Sequence, residues 1–218
     1  MSPTSPQSNT QRVYQGIRQR IIHGVITPGE KLKVASLKTL FETGASPVRE
    51  ALSLLTSDLL VERIDQRGFR AAPASVEHFQ EIRLLRCQLE SLALRNSIQR
   101  MQIQWEEKLV LAHHHLSQTD RNQHDEWEKY HRNFHICLLE NCGSPILLRF
   151  CSQLYDLNIR YRNLAGQSLS YQKRDIEAEH KSILNAVLDN QEDTAIQQLV
   201  RHYELTGEYL SDHMVQTV

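Results

Sequence analysis

Residues 44–55 (GASPVREALSLL) most constrain what this chain can fold into, because they have the pattern of a short amphipathic helix. Ser46 is a good N-cap, and Pro47 suits the first helical position, where a missing N–H does no harm. The apolar positions follow at helical spacing: Val48, Leu52 and Leu55. Arg49 stands in the first predicted turn, where the helix dipole disfavours a cation by about 0.3–1 kcal/mol. We therefore expect Arg49 either to face an external phosphate or base edge, or to be a solvated surface arginine.

The sequence on either side of this helix completes the pattern of a winged helix-turn-helix. Residues 34–41 predict a short amphipathic helix, which is joined to the next one by Glu42-Thr43-Gly44, a turn length that this motif uses. After the second helix, residues 59–64 and 69–73 indicate two short strands around a glycine turn. A helix is also expected at 10–23, with an apolar face that can close over this core.

Charge divides the chain into two parts. Up to residue 75 there are ten Lys/Arg against six Asp/Glu, a balance of +4; the remainder has fifteen against twenty, a balance of -5, and together they give the net charge of -1. The basic part coincides with the helix-turn-helix, as expected of a nucleic-acid binder. We therefore predict a disordered N-terminus at 1–9, a DNA-binding domain at 10–74 and an all-helical domain at 75–218.

Beyond residue 75 the sequence is helical in pattern almost to its end. Breaks fall near residues 101–104, 118–123, 142–145 and 165–167. They delimit six predicted helices: 75–100, 104–118, 124–141, 144–165, 171–189 and 191–213. Because the connections are short, these helices should form one antiparallel bundle. The expected fold class is mainly α, a winged helix-turn-helix followed by an all-α antiparallel six-helix bundle.

The sequence gives no sign of a membrane span or of secretion. No apolar run approaches the ~20 residues that a spanning helix needs, and the first ten residues do not resemble a signal peptide. The cysteines form no CxxC pair and lie in apolar helical stretches, which is typical of free thiols in a reducing compartment: Cys87, Cys137, Cys142 and Cys151. We therefore expect a cytoplasmic protein with no membrane partner.

Four histidines fall on apolar stripes of the predicted bundle. His131 and His135 are four residues apart, so two imidazoles on one helix face can reach one metal ion. His180 and His202 lie in the stripes of the last two helices. With 11 histidines in the chain, chance gives roughly half a pair at this spacing, and a core histidine more often bonds a backbone carbonyl. However, four inward imidazoles are hard to satisfy without a shared ion, which favours a divalent metal site.

Two arginines also lie on inward-facing stripes: Arg86 and Arg162. Asn158 follows the same line as Arg162, whereas Arg160 is predicted to pair with Asp156 on the outer face. A buried guanidinium requires a carboxylate. That partner is either internal, such as Glu90 or Glu179, or the carboxylate of a bound effector. If it is an effector, the expected binding residues are Arg86, Asn158 and Arg162.

Three spaced motifs of the head carry a family resemblance: Pro28-Gly29-Glu30, Pro47-Val48-Arg49-Glu50-Ala51-Leu52 and Arg67-Gly68-Phe69. They resemble the DNA-binding half of GntR-family transcription regulators. Because one basic module supplies little specific affinity, we expect a homodimer that reads a short inverted repeat, with the helix that starts at Ser46 of each head in the major groove. Expected DNA contacts come from Lys38, Ser46, Arg49, Arg67 and Gly68. Most members carry Ser-Arg-Thr where this chain has Gly44-Ala45-Ser46, so no operator sequence is implied.

The C-terminal half resembles the FCD ligand-binding domain of FadR-type GntR regulators, through Phe134-His135, Glu179-His180 and His202. The resemblance implies a divalent metal, commonly held by an Asp and three histidines, with a small organic acid beside it. Here His131 stands at the position of that Asp, and an all-imidazole set favours zinc or nickel. The stretch from residue 125 to 162 is also similar to the CsiR-like branch, which is linked to short-chain dicarboxylate and aminobutyrate catabolism.

Together these features predict a metabolite-responsive transcription regulator that is not an enzyme. It would bind operator DNA and repress transcription until a small carboxylic acid, bound beside the metal, releases the protein from the operator. One alternative is a metal-dependent hydrolase with an accessory DNA-binding head, although residues 131–135 (HRNFH) lack the Glu of HExxH. Another is a regulator whose metal is purely structural.

Overall fold

A computed structural model describes residues 8–65, 67–164 and 174–214, with side chains as far as residue 208. Within these ranges the chain forms nine helices and one three-stranded sheet. The chain divides into two compact units, Met1–Ser75 with Ile159–Gly166 and Val76–Asn158 with Gln167–Val218. Of the predicted disordered N-terminus, residues 1–7 lie outside the described ranges, and the first helix begins at Asn9.

The first unit is a winged helix-turn-helix, as predicted. Its elements in chain order are α1 (Asn9–Ile22), β1 (Lys31–Leu32), α2 (Val34–Leu40), α3 (Ala45–Ser57), β2 (Val61–Ile64) and β3 (Gly68–Ala71). The strands pair antiparallel in the order β1-β3-β2. β1 was not predicted, because two residues are too few to show an alternating pattern.

Helices α1 and α3 supply the core of this unit. Their apolar positions are spaced three or four residues apart, so they lie on one face of each helix. The side chains on these two faces are fully buried: Val13, Ile17 and Ile21 of α1, and Val48, Leu52 and Leu55 of α3. Burial of each such side chain contributes about 1.5–3 kcal/mol. This packing therefore fixes α3 within the first unit by its apolar face.

The start of α3 differs from the prediction. Gly44 is the N-cap and no side chain caps the helix, so Ser46 is not the N-cap and Pro47 is the third helical residue. Proline fits there because the first four N–H groups of a helix have no partner within the helix. Arg49 is then the fifth residue, beyond the first turn, where the effect of the helix dipole has declined.

After β3 the chain forms the six predicted helices, which confirms the mainly α fold. They are α4 (Val76–Gln99), α5 (Ile103–Ser117), α6 (His124–Leu139), α7 (Pro145–Leu164), α8 (Ile176–Leu188) and α9 (Glu192–Met214). Residues 171–173, where α8 was expected to begin, lie outside the described residues. All four cysteines are free thiols, as predicted. In the part of the chain that the structure describes, no helix is both long and apolar enough to cross a membrane.

The last turns of α7 belong to the first unit, which overturns one prediction. Arg160 is only 1 % exposed and donates from Nη2 to the carbonyl of Ala72. Asp156, its predicted partner, instead accepts from Nε of Arg132 at 3.2 Å. The spacing of Asp156 and Arg160 along one helix predicted an ion pair on the outer face. Spacing within a helix cannot show that the segment after β3 covers this end of α7.

Candidate metal centre and nucleic-acid interface

Four buried histidines of the helical unit converge on one point. His131 and His135 come from consecutive turns of α6, His180 from α8 and His202 from α9. One ring nitrogen of each lies within 4.8 Å of a ring nitrogen of every other, and no ring is more than 5 % exposed. The structure thus brings together the four residues that were predicted as metal ligands, in a cluster that could hold a metal ion.

The hydrogen-bond partner of His131 determines which ring nitrogen carries the hydrogen. Its Nδ1 lies 2.6 Å from the hydroxyl of Tyr155, and that hydroxyl donates to Oε1 of Glu128 at 2.7 Å. A phenol has one hydrogen, so Tyr155 accepts from the Nδ1–H of His131. The Nε2 of His131 is therefore unprotonated in the neutral ring and directs a lone pair into the cluster.

His135 is held in the same way by another helix. Its Nδ1 lies 3.1 Å from the hydroxyl of Tyr203, which donates to Glu90 at 2.5 Å. The Nε2 atoms of His131 and His135 are 3.2 Å apart. Two facing lone pairs repel each other unless they share a cation, and two nitrogens on one tetrahedral zinc ion are about 3.3 Å apart. The donor set therefore fits a metal ion.

His202 has a carboxylate behind it rather than a tyrosine. Its Nδ1 lies 2.7 Å from Oε2 of Glu179, and Nε of Arg174 donates to the other oxygen of that carboxylate at 2.6 Å. A carboxylate behind an imidazole orients the ring and makes it a better ligand in many metal sites. The His180 ring completes the cluster, with its centroid 4.8 Å from that of His202.

Burial keeps three of the four imidazoles neutral. It is the main cause that lowers the pKa of His131, His135 and His202 well below the ordinary value, and nearby positive groups act in the same direction. Burial also raises the pKa of Tyr155 and Tyr203 well above the usual range, so both keep their hydrogen. Neutral imidazole is the form of histidine that binds a metal ion.

Of the predicted effector residues, Arg86 is linked to the histidines, through Glu90 and Tyr203. Its Nε donates to Glu90 at 2.6 Å and its Nη2 at 3.3 Å, and its guanidinium lies 4.1 Å from the Tyr203 ring centroid. Glu90, one of the internal carboxylates considered for Arg86 from the sequence, is thus its partner. Asn158 is buried on α7, whereas Arg162 is half-buried in the turns of α7 that belong to the first unit.

Sequence reasoning missed the groups that orient the histidines. Tyr155 and Tyr203 lie on apolar stripes, and a buried tyrosine hydroxyl requires a hydrogen-bond partner, which was the available signal. Arg174 gave no such signal because it stands outside the predicted apolar stripes. Of the three consecutive histidines, His113 is half-buried, while His114 and His115 are exposed, as expected of a mostly solvated run.

The predicted DNA-contacting residues are exposed on the winged helix-turn-helix. They are Lys38 of α2, Ser46 and Arg49 of α3, and Arg67 and Gly68 of the wing. Gly68 has φ +93°, a left-handed conformation that favours glycine in this tight turn. Glu50, next to Arg49, accepts a hydrogen bond from Thr10 of α1 at 2.8 Å. Exposed cations on these elements are suited to the phosphate groups of a duplex.

Comparison with known sequences gives matches over both units. Residues 9–70 match the family described as "Bacterial regulatory proteins, gntR family", and residues 81–205 match the FCD domain. The chain is 33 % identical to the HTH-type transcriptional repressor GlaR of Escherichia coli K12, covering 88 % of this chain and 91 % of GlaR. It is 32 % identical to the HTH-type transcriptional regulator BphR of Paraburkholderia xenovorans LB400, covering 91 % and 83 %.

Solved structures share the architecture. Escherichia coli McbR/YncC matches with a TM-score of 0.80 and 20 % identity, covering 93 % of this chain and 97 % of that one. A putative GntR transcriptional regulator from Rhodococcus sp. RHA1 matches with a TM-score of 0.75 and 18 % identity, covering 92 % and 96 %. At these identities the likeness shows the fold alone, a winged head followed by a helical domain.

Proposed function

This chain belongs to the GntR family of bacterial regulatory proteins, with an FCD domain after its DNA-binding head, and we propose that it is a metabolite-responsive repressor. GlaR, with which it shares 33 % identity, is named a repressor, which supports repression rather than activation. The observation that carries the metal-dependent part is the convergence of His131, His135, His180 and His202 in the domain that would sense the metabolite.

DNA binding would use two copies of the head. GntR regulators bind operator DNA and act as dimers, and a homodimer of this chain would read an inverted repeat. We infer that α3 enters the major groove with Ser46 and Arg49 near base edges or phosphates. Lys38 and the wing residues Arg67 and Gly68 would contact the backbone. Two heads are needed because one such module supplies little specific affinity.

The four histidines would hold a divalent ion, with zinc or nickel favoured by an all-imidazole set. When bound, the ion would supply a Lewis acid to which a carboxylate oxygen can bind. Tyr155, Tyr203 and Glu179 fix the rings so that their lone pairs converge, and the nearby carboxylates help to balance the ion's charge. These carboxylates are Glu90, Glu128 and Glu179.

The effector of this proposal is a small carboxylic acid bound in the helical domain of a cytoplasmic regulator. Its binding would change the affinity of the heads for the operator. Direct effector contacts from Arg86, Asn158 and Arg162 stay predictions. Arg86 is already satisfied by Glu90, so a contact with the effector requires an exchange of partners.

A purely structural metal is the second candidate, because four imidazoles are a complete ligand set for tetrahedral zinc.

A metal-dependent hydrolase would need a carboxylate that can act as general base, but the carboxylates nearest to the histidine cluster already bind other groups. Glu90 binds Arg86 and Tyr203, and Glu128 accepts from Tyr155. Glu179 binds Arg174 and His202. None is placed as a general base within the described residues, so we infer that the protein is not an enzyme.

The test begins by selecting the operator from a random duplex library with the purified, metal-loaded protein. The affinity for the selected duplex is then measured with a panel of small carboxylic acids, before and after chelation. Loss of affinity with one acid, abolished by chelation, supports the proposal. If chelation unfolds the helical domain and no acid changes the affinity, the metal is structural and the effector part of the proposal is wrong.

A further inference from the structure

The groups that support the histidines differ in how far they lie from solvent. The side chains of Glu90 and Glu128, which anchor the two tyrosines, are 1 % and 9 % exposed. The side chain of Glu179, which supports His202, is 21 % exposed, and that of Arg174 beside it is 13 % exposed. Of these supports, the one behind His202 is therefore the nearest to solvent.

Arg174 fastens this support to two helices at once. Its Nε donates to Oε1 of Glu179 on α8 at 2.6 Å, and its Nη2 donates to the other oxygen of that carboxylate. On α9, its Nη1 donates to Oγ1 of Thr206 at 2.7 Å and its Nη2 donates to the carbonyl of His202 at 2.8 Å. One guanidinium thus uses four hydrogen bonds to hold α8 and α9 together behind His202.

The backbone of Arg174 lies outside regular helix. α8 begins at Ile176, with Asp175 as its N-cap, so Arg174 precedes the helix. Its carbonyl accepts from the N–H of Ile176 at 3.0 Å and from Nη1 of Arg121 at 3.3 Å. A residue in this position can move without breaking the hydrogen bonds of the helix. The guanidinium can therefore leave its four acceptors while α8 stays intact.

Arg174 also places a positive charge beside the cluster. Its Nη2 lies 3.3 Å from Nδ1 of His202. A guanidinium at this position repels an approaching divalent cation, and the repulsion is stronger in the protein interior than in water. If the guanidinium moves away, the carboxylate of Glu179 is left without its cation and attracts a metal ion instead.

We propose that Arg174 is a latch that controls how fast a metal ion enters and leaves the histidine cluster. When the guanidinium leaves Glu179, Thr206 and the carbonyl of His202, it no longer joins α8 to α9. His202 is then the ligand that detaches first, while the two histidines of α6 stay fixed by buried tyrosines. When the guanidinium returns, His202 is held in its binding position. The inference rests on the proposed function, because it gives the ion of that site its route.

The experiment compares the rates and the affinity of zinc binding in the full chain. Release is followed after mixing the zinc-loaded protein with an excess of a chromophoric chelator, and uptake after mixing the metal-free protein with zinc in a stopped-flow instrument. Competition with the chelator at equilibrium gives the affinity. Arg174→Gln removes the latch, and Arg201→Gln, at an exposed arginine of α9, is the matched control. The Tm of each zinc-loaded variant reports whether it is folded.

Both rates should rise in the latch variant. We expect Arg174→Gln to release and to take up zinc at least about tenfold faster than the wild type, because the hydrogen bonds of the closed form are lost. Since the affinity is the ratio of the two rates, it should stay within about threefold of the wild type. Thr206→Val keeps the shape of its side chain and removes one of the four hydrogen bonds, so it should raise both rates about two- to tenfold. It decides the question if Arg174→Gln does not fold.

The outcomes separate the latch from the metal site. Faster release together with faster uptake in the folded variant, with the control unchanged, supports the inference. Unchanged release overturns it and leaves the metal site standing. Faster release without faster uptake also overturns it, because Arg174 then only stabilises the bound form. A wild-type protein that binds neither zinc nor nickel overturns the latch and the metal-dependent part of the proposed function together.

Discussion

The Nε2 atoms of His131 and His135 lie 3.2 Å apart in the interior of the helical unit, and the Nδ1 of each ring contacts a tyrosine hydroxyl. Each hydroxyl donates its hydrogen to a glutamate, so the protein itself selects the tautomer in which both lone pairs face inward. The spacing of four residues on α6 aligns the rings, while α7 and α9 contribute the tyrosines. The histidine cluster is therefore organised by hydrogen bonds as well as by packing.

Replacing Tyr203 by Phe should weaken metal binding while leaving the fold intact. The substitution removes the acceptor of the His135 Nδ1–H and the donor to Glu90. Loss of such a supporting group typically lowers metal affinity by about 10–100-fold. Competition with a zinc-binding dye measures the affinity. Tyr130→Phe, at a half-buried tyrosine of the same unit, should not change it; equal effects of the two substitutions would contradict the role given to Tyr203.

Chelation should lower the thermal stability of the protein as purified with its metal. An ion present at a hundred times its dissociation constant stabilises the folded state by about 2.7 kcal/mol. For a chain of this size that corresponds to about 5–10 °C in Tm. His180→Ala leaves three imidazoles, so it should weaken metal binding and reduce the effect of the chelator, whereas His115→Ala, at an exposed histidine, should retain it in full. Metal affinity and a chelator effect equal to those of the wild type in His180→Ala would contradict its role as a ligand.

Periodicity was enough to predict the helices and the convergence of the histidines. A residue in an apolar stripe must face the core, so His131, His135, His180 and His202 had to be buried among neighbouring helices. What periodicity does not contain is the partner on the other helix. Tyr155 and Tyr203 are far from their histidines in sequence, and the tautomers depend on those contacts.

The errors occurred where a second segment covers an element or where a helix ends. Arg160 was expected on the outer face, but its guanidinium donates to the carbonyl of Ala72. The start of α3 was misplaced because Ser46 is a good N-cap by residue type, whereas Gly44 occupies that position without a side-chain bond.

Two of the cysteines should resist alkylation in the folded protein. Burial raises the pKa of the Cys137 thiol and of the Cys151 thiol to about 12. At pH 8 only about one molecule in ten thousand would then carry the reactive thiolate at either position. Mass spectrometry after iodoacetamide treatment should find both unmodified in the folded state and modified in urea. Equal rates in the two states would show that these thiols are accessible.

Replacing Arg49 by Ala should weaken binding to the selected operator by about 5–150-fold, because one arginine contact contributes about 1–3 kcal/mol. Arg49 is exposed on α3, so its loss should leave the thermal stability of the head unchanged. Affinity measured by fluorescence anisotropy at several salt concentrations tests this. Arg201→Ala, at the exposed arginine of α9, is the control and should bind like the wild type.

Arg49→Lys distinguishes the two kinds of contact that Arg49 can make. Lysine keeps the charge but lacks the planar fork, so it can replace arginine at a phosphate more readily than at the O6 and N7 atoms of a guanine. If Arg49 reads a base edge, the lysine variant should lose discrimination at one position of the half-site. If it binds a phosphate, the lysine variant should bind almost normally, and the alanine variant should lower the salt dependence by about one unit of slope. Wild-type affinity and salt dependence in the alanine variant would exclude Arg49 from the DNA interface.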